Sequence, residues 1–120
     1  FVKDQIRKSG LTLSNVSIIP VGVDPEFFHP VSSRPTMIHT PYILGVGAVK
    51  NRKGFHVSIE AFSLVASQFP QVNYAIVGHS DGDAYGLSLK ARVKELGLEN
   101  RVIFLDRVSD DELRSLYSFA

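Results

Sequence analysis

After Pro41 the apolar positions fall into a regular alternation of two kinds of run. Tyr42-Ile43-Leu44-Gly45-Val46 stops at Gly47, Asn73-Tyr74-Ala75-Ile76-Val77 stops at Gly78, and Arg101-Val102-Ile103-Phe104-Leu105 makes a third. Short continuous runs of this kind are those of strands covered on both faces, as in a parallel sheet. Between the first two, Phe55, Ile59, Phe62, Val65, Ala66 and Phe69 recur at helical spacing and predict a helix over Gly54 to Phe69. Val57, Ala61 and Leu64 add apolar surface on its other side, which fits either a helix wedged deep in its own domain or an outer stripe facing another domain. A second helix runs through Leu89, Val93 and Leu96 with Lys90, Arg92, Lys94 and Glu95 facing water, and Gly97-Leu98 fits a glycine cap with its following apolar contact. A third begins at Ser109, where Ser109-Asp110-Asp111-Glu112 reads as a capping box, the hydroxyl accepting from the Glu112 amide and the Glu112 side chain reaching back. The order β-α-β-α-β-α, with right-handed crossovers, predicts a Rossmann-like parallel sheet with flanking helices.

Ahead of Pro41 the pattern is looser. Val2 and Ile6 lie one turn apart with Lys3, Arg7 and Lys8 opposite and Gly10 as a stop, the signature of the last turns of a helix. Val16-Ser17-Ile18-Ile19 is β-prone and ends at Pro20, before Val21-Gly22-Val23-Asp24-Pro25 and the apolar Phe27-Phe28. From Pro30 to Pro41 three prolines with Ser32, Ser33, Thr36 and Thr40 read as a connector with little to bury. Leu113, Leu116, Tyr117 and Ala120 keep helical spacing to the last residue, so the chain reads as cut inside a helix at each end.

Composition narrows the classes. The 120 residues allow one core of ordinary size, and 44% hydrophobic with 21% charged residues is the make-up of a folded, water-soluble domain. No apolar run approaches the roughly 20 residues of a membrane span. Thirteen basic against twelve acidic side chains give a net charge of +1, so nothing global favours nucleic acid, and any basic site must be local. The absence of cysteine removes disulfides, thiol nucleophiles and thiolate metal sites, and fits a reducing compartment.

In an open parallel sheet, ligands bind beyond the carboxyl ends of the strands. Three loops qualify. Gly47-Ala48-Val49-Lys50-Asn51-Arg52-Lys53-Gly54 joins a strand to a helix start and carries three cations; helix-start amides with Arg52 and Lys53 would suit phosphate oxygens, the alternative being a solvated basic loop. Gly78-His79-Ser80-Asp81-Gly82-Asp83-Ala84-Tyr85-Gly86 permits close backbone approach to a ligand, or is an ordinary flexible loop in which His79 is one polar residue among others. In Asp106-Arg107-Val108, Arg107 faces a ligand or pairs with Asp106 or Asp110.

Familiar motifs fail. Gly45-Val46-Gly47 opens like a dinucleotide fingerprint, but Lys50 stands where the third glycine belongs. Lys53-Gly54 has the wrong order for a phosphate-binding loop of the Walker type. His29, His39, His56 and His79 are scattered without metal-ligand spacing, and no nucleophile elbow is present.

Taken in order, Ile18-Ile19-Pro20-Val21-Gly22-Val23-Asp24 with Phe28, Tyr42 to Gly47, Arg52-Lys53-Gly54, Ile59-Glu60-Ala61-Phe62, Val77-Gly78, Val102 to Leu105 and Leu113-Leu116-Tyr117 resemble the GT-B glycosyltransferases of family 4. The resemblance covers nearly the whole chain and points to the first two-thirds of the C-terminal, donor-binding domain. It implies residues 1–30 as the crossing from an N-terminal domain, 31–41 as a connector, and 42–120 as the nucleotide-sugar-binding domain. It further implies transfer of a sugar from a GDP- or UDP-linked donor to a glycan, lipid or small-molecule acceptor, with retention of configuration, by an enzyme of mannosyl- or glucosyltransferase type.

Carried onto matching positions, Gly47, Arg52 and Lys53 resemble the donor diphosphate site, and Gly78, Arg107 and Val108 the vicinity of the donor nucleotide. Ala48 stands where many members have Arg, and Val21 where many have Asn. The glutamate pair that contacts the donor sugar in relatives would lie beyond Ala120, so the catalytic residues are unassigned and the isolated chain is expected to be inactive. Members of this type use neither metal nor resident cofactor, so diphosphate charge is met by Arg, Lys and amides. The resemblance implies a missing acceptor-binding domain as partner, no nucleic acid, a cytoplasmic location and at most peripheral membrane contact. The competing reading is a non-catalytic Rossmann-like module that binds a nucleotide or a regulatory partner.

Overall fold

Three strands hydrogen-bond side by side in parallel, in the order β1-β2-β3. The structure is a computed structural model that describes residues 2–10, 17, 19–39, 41–80, 82 and 84–120. Its elements are α1 (Val2–Lys8), β1 (Tyr42–Val46), α2 (Phe55–Val65), β2 (Asn73–Val77), α3 (Ala84–Glu95), β3 (Val102–Leu105) and α4 (Asp110–Phe119). The register runs Tyr42 opposite Asn73 to Val46 opposite Val77, and Tyr74 opposite Val102 to Val77 opposite Leu105. This is the predicted Rossmann-like sheet with its strands where the apolar runs placed them. The short strand expected over Val16 to Ile19 lies largely outside the described residues.

The period-2 geometry of β2 divides the core into two layers. Tyr74 and Ile76 point to one face and pack with Phe55, Ile59 and Phe62 of α2 and Leu89 and Val93 of α3. Ala75 and Val77 point to the other and pack with Tyr42, Leu116 of α4 and Ile38. Burial on both faces holds for β2, whereas Ile43 in the outer strand β1 is about half exposed at 49%.

Helix ends follow local chemistry. Gly97 closes α3 with φ 67°, its amide donating to the Lys94 carbonyl and the Leu98 amide to that of Val93, while Leu98 is buried in the core. This pair of bonds is a Schellman cap, as Gly97-Leu98 predicted. At α4 the Glu112 amide donates to the Ser109 hydroxyl at 3.2 Å.

The return half of that capping box is not made. The Glu112 carboxylate turns to the connector instead, accepting from the amides of Thr36 at 2.9 Å and Met37 at 3.3 Å. The connector is therefore not a free strand of polar chain. Pro35 and Ile38 are buried, the Val31 amide donates to the Ser118 hydroxyl, and the Arg34 guanidinium sits 5.1 Å from the Phe119 ring centre.

Helix α2 is shorter than its periodicity implied. It ends at Val65, and Val65 and Phe69 are exposed rather than part of the buried face. Within this chain Val57 and Leu64 on the outer side are also exposed. The extension stops ahead of Pro70, which has no N–H to give the Ala66 carbonyl, and the Arg101 guanidinium donates to the carbonyls of Ala66, Phe69 and Val72 in the turn that follows.

Candidate functional site

The strands end level with one another. The Gly47 amide donates to the Val77 carbonyl at 2.9 Å and the Gly78 amide to the Leu105 carbonyl at 3.0 Å, which brings Gly47, Gly78 and Asp106 to one edge of the sheet. Gly78 has φ 155°, and a Cβ there would lie 1.9 Å from the Gly47 carbonyl oxygen. The two backbones come this close because Gly78 has no side chain. The three loops nominated by topology thus converge.

The basic loop has a buried root and an exposed crest. Val49 is 2% exposed and its amide donates to the His79 carbonyl at 3.0 Å. Beyond it Asn51–Lys53 form a single 3-10 turn, and Gly54 takes φ 72° to start α2. The Lys53 chain folds back along Gly47, with its Cε, Cδ and Nζ atoms 3.5, 3.6 and 3.8 Å from where a Cβ on Gly47 would stand. Arg52 is exposed and, among the described residues, has no hydrogen-bond or ion-pair partner. Among the described residues neither cation has an ion-pair partner, an arrangement suited to an external anion.

The helix start contributes less than its sequence promised. The His56 amide already donates to the Tyr85 hydroxyl at 3.3 Å and the Val57 amide to the Gly54 carbonyl. Arg52 and Lys53 carry most of the remaining capacity for an anion. His56 Nδ1 also lies 3.0 Å from the Tyr85 hydroxyl, tying the start of α2 to α3.

Arg107 is exposed and makes no ion pair among the described residues; Asp106 pairs instead with His79, Nδ1 to Oδ1 at 2.8 Å. A carboxylate only accepts, so His79 Nδ1 carries the proton. That hydrogen bond, with further help from the charge of Arg107, holds the Asp106 carboxyl below its ordinary range. Val108 is partly buried and its side chain packs into the layer around Leu116. Between the loops and α3 lies a cavity of about 160 Å³ lined by Val49, Gly78, Ser80, Leu87, Phe104 and Asp106. A larger cleft of about 450 Å³ is lined by Val23, Phe28, His29 and Pro30 together with Arg114 and Tyr117 of α4, away from the basic loop's residues. Among the described residues no three His, Asp or Glu side chains gather as metal ligands, and no helix is long and apolar enough to cross a membrane.

The family model described as glycosyl transferases group 1 matches residues 36–120. The chain belongs to this family. It is 32% identical over 127 aligned residues to mannosylfructose-phosphate synthase of Agrobacterium fabrum, covering 96% of this chain and 28% of that protein. It is 28% identical to D-inositol 3-phosphate glycosyltransferase of Corynebacterium glutamicum, covering 88% of this chain and 28% of the relative. The chain thus spans under a third of the length of these curated relatives. Among solved structures it is similar to sucrose-phosphate synthase from Thermosynechococcus elongatus, with a TM-score of 0.73 and 26% identity over 99% of this chain and 31% of that one. It is also similar to the C-terminal domain of a glycosyl transferase group 1 family protein from Francisella tularensis, with a TM-score of 0.67 and 25% identity over 81% and 54% of the two chains. Both neighbours are glycosyltransferase domains of the GT-B kind, in agreement with the Rossmann-like sheet. Membership makes sugar transfer the activity of the group.

Two contacts between these loops and helices escape sequence reading. The His79–Asp106 pair joins residues 27 positions apart, and nothing in either loop marks the other as partner. Tyr85 reaches the start of α2 across 29 positions. Only the level strand ends, seen in three dimensions, bring them together.

Proposed function

We propose that this chain forms the donor side of a glycosyltransferase that takes a sugar from a GDP- or UDP-linked donor and passes it, with retention, to a glycan, lipid or small-molecule acceptor. What supports this reading most is the Lys53 side chain laid against Gly47 at the carboxyl end of β1, beside Arg52, which has no partner among the described residues. Cleaving a sugar–diphosphate bond leaves negative charge on the leaving group. Guanidinium and ammonium groups placed where that charge grows stabilise the transition state more than the ground state. Gly47 keeps the strand end open beneath the two cations, and the level Gly78 edge with Arg107 and the Val108 backbone beyond it forms the nucleotide side. The names of the relatives, one a mannosylfructose-phosphate synthase and one an inositol 3-phosphate glycosyltransferase, favour hexosyl transfer to a small phosphorylated acceptor. The glutamates that would contact the sugar are expected outside residues 1–120, and residues 1–30 are read as the crossing from an acceptor-binding domain. No metal or resident cofactor enters the scheme.

Calorimetric titration of the full-length protein with GDP-mannose, UDP-glucose and the free diphosphates tests the reading. Binding to one nucleotide series, abolished in Arg52→Ala/Lys53→Ala with the fold retained, is the expected result. Turnover of the double variant within about tenfold of wild type, roughly 1.4 kcal/mol in barrier, overturns it.

A further inference from the structure

His79 stands at the one point where the three strand-end loops are joined through a single residue. Its backbone carbonyl accepts the Val49 amide of the basic loop at 3.0 Å, and its Nδ1 donates to Asp106 at the end of β3 at 2.8 Å. Val49 is 2% exposed, so its amide is withdrawn from water and depends on that carbonyl. The residue before His79 is Gly78, at φ 155°, a conformation that glycine adopts readily, so the His79 side chain is the group through which this turn can be held from outside. Here Asp106 holds it.

We propose that His79 is a positioning residue for the basic loop: clasped by Asp106, it aims the carbonyl that anchors Val49 and so fixes where Arg52 and Lys53 stand. Val49 is followed within four residues by both cations, with only the 3-10 turn Asn51–Lys53 between. A loose root would let the crest drift away from Gly47, and a displacement of about 1 Å is enough to weaken charge-assisted contacts to a diphosphate. Among the described residues, Arg107 from the β3 turn acts on Asp106 through its charge and backbone, and Lys90 of α3 lines the same cavity as Asp106. Of these only Asp106 is a carboxylate within hydrogen-bond reach of His79 among the described residues.

The consequence for nucleotide binding rests on the donor-site reading above; the clasp itself does not, and the two are tested apart. In the full-length protein, amide exchange at Val49 is expected to quicken by about tenfold in His79→Ala, with the interior of α2 unchanged. Asp106→Ala, which alters an exposed side chain and leaves the residue 79 backbone intact, is expected to reproduce that gain, and the double variant to add nothing. His79→Asn keeps a donor near the Nδ1 position and is expected to retain slow exchange. In titrations with GDP and UDP, His79→Ala is expected to weaken binding about tenfold and His79→Asn to stay within about threefold of wild type. Unchanged Val49 exchange in both His79→Ala and Asp106→Ala, or equal losses in His79→Ala and His79→Asn, overturns the clasp. Quickened exchange with undiminished diphosphate affinity overturns its role in aiming the cations. If wild type binds neither diphosphate while exchange responds as expected, the clasp stands and the donor-site reading falls.

Discussion

Gly78 and Gly47 are in backbone contact: a Cβ on Gly78 would stand 1.9 Å from the Gly47 carbonyl oxygen. No rotamer relieves that overlap, because the opposing atom belongs to the main chain of β1's extension. The positive φ of Gly78, 155°, adds backbone strain for any other residue. Gly78→Ala is therefore expected to destabilise the fold by more than about 3 kcal/mol or to prise the β1 and β2 ends apart. Urea denaturation followed by circular dichroism measures it. A loss under about 1 kcal/mol would mean the strand ends are slack.

Arg101 is the counterpart at the opposite end of the sheet. Its guanidinium donates to the carbonyls of Val72 at 3.0 Å, Ala66 at 3.3 Å and Phe69 at 2.7 Å, and stacks 5.6 Å from the Phe62 ring centre. Helix α2 ends without a left-handed glycine, Ala66 keeping helical angles, and the Ala66 carbonyl, whose next helical donor would be Pro70, has Arg101 in place of a backbone amide. Arg101→Ala is expected to cost about 2 to 3 kcal/mol, and Arg101→Lys to recover less than half, since an ammonium cannot fork to three acceptors. Thermal unfolding of the two variants decides it, and equal stability of Lys and Arg would remove the fork from the account.

The strands, the Gly97 cap and the Ser109 cap were legible because each depends on neighbours in sequence: an apolar run, a Gly-Leu pair, a hydroxyl three residues before its amide. What was not legible depends on partners far away. Glu112 has the spacing of a capping box, yet Thr36 and Met37, 76 and 75 residues distant, offer amides that its carboxylate takes instead. The helix from Gly54 onward keeps its apolar period through Phe69, but Pro70 cannot donate to the Ala66 carbonyl, and Arg101, 35 positions away, meets it instead. At the site, Arg52 and Lys53 stood out as charge in a short loop. The seat of Lys53 on Gly47 and the joining of His79 to Asp106 arise only once parallel strands bring three loops level.

Arg92 of α3 forks onto Glu60 of α2, Nε to Oε1 at 2.5 Å and Nη2 to Oε2 at 3.1 Å. The hydrogen bond from Arg92, with its positive charge, holds the Glu60 carboxyl below its ordinary value. In the window between the folded and unfolded values the unfolded chain binds more protons, so stability rises with pH there. The contribution is complete above the ordinary glutamate value of about 4.3 and is lost as pH falls through the folded one. Both side chains are nearly half exposed, so salt screens the pair. The stability difference between wild type and Glu60→Gln is thus expected to be largest near neutrality, to shrink on acidification below about pH 4.3, and to shrink in high salt. A difference independent of pH and salt would show that Glu60 acts through packing alone.

The two cations of the basic loop differ in how they are held, and that difference is measurable. Lys53 is seated, with Cε 3.5 Å and Nζ 3.8 Å from the Cβ position of Gly47, whereas Arg52 is exposed and has no partner among the described residues. A side chain already in place loses less conformational freedom on binding an anion than one that must be ordered, a term of about 0.5 to 1.5 kcal/mol for a long chain. Its charge also sits nearer the strand end, where a diphosphate would approach the Gly47 amide side. Lys53→Ala is accordingly expected to weaken GDP or UDP binding by about tenfold or more, and Arg52→Ala by about threefold. Both side chains are exposed, so each share is expected to fade with added salt. Calorimetry on the two single variants at low and high salt separates them. A larger loss in Arg52→Ala would move the anchoring charge from the seated ammonium to the guanidinium, and with it the position of the diphosphate from the β1 end to the crest of the 3-10 turn.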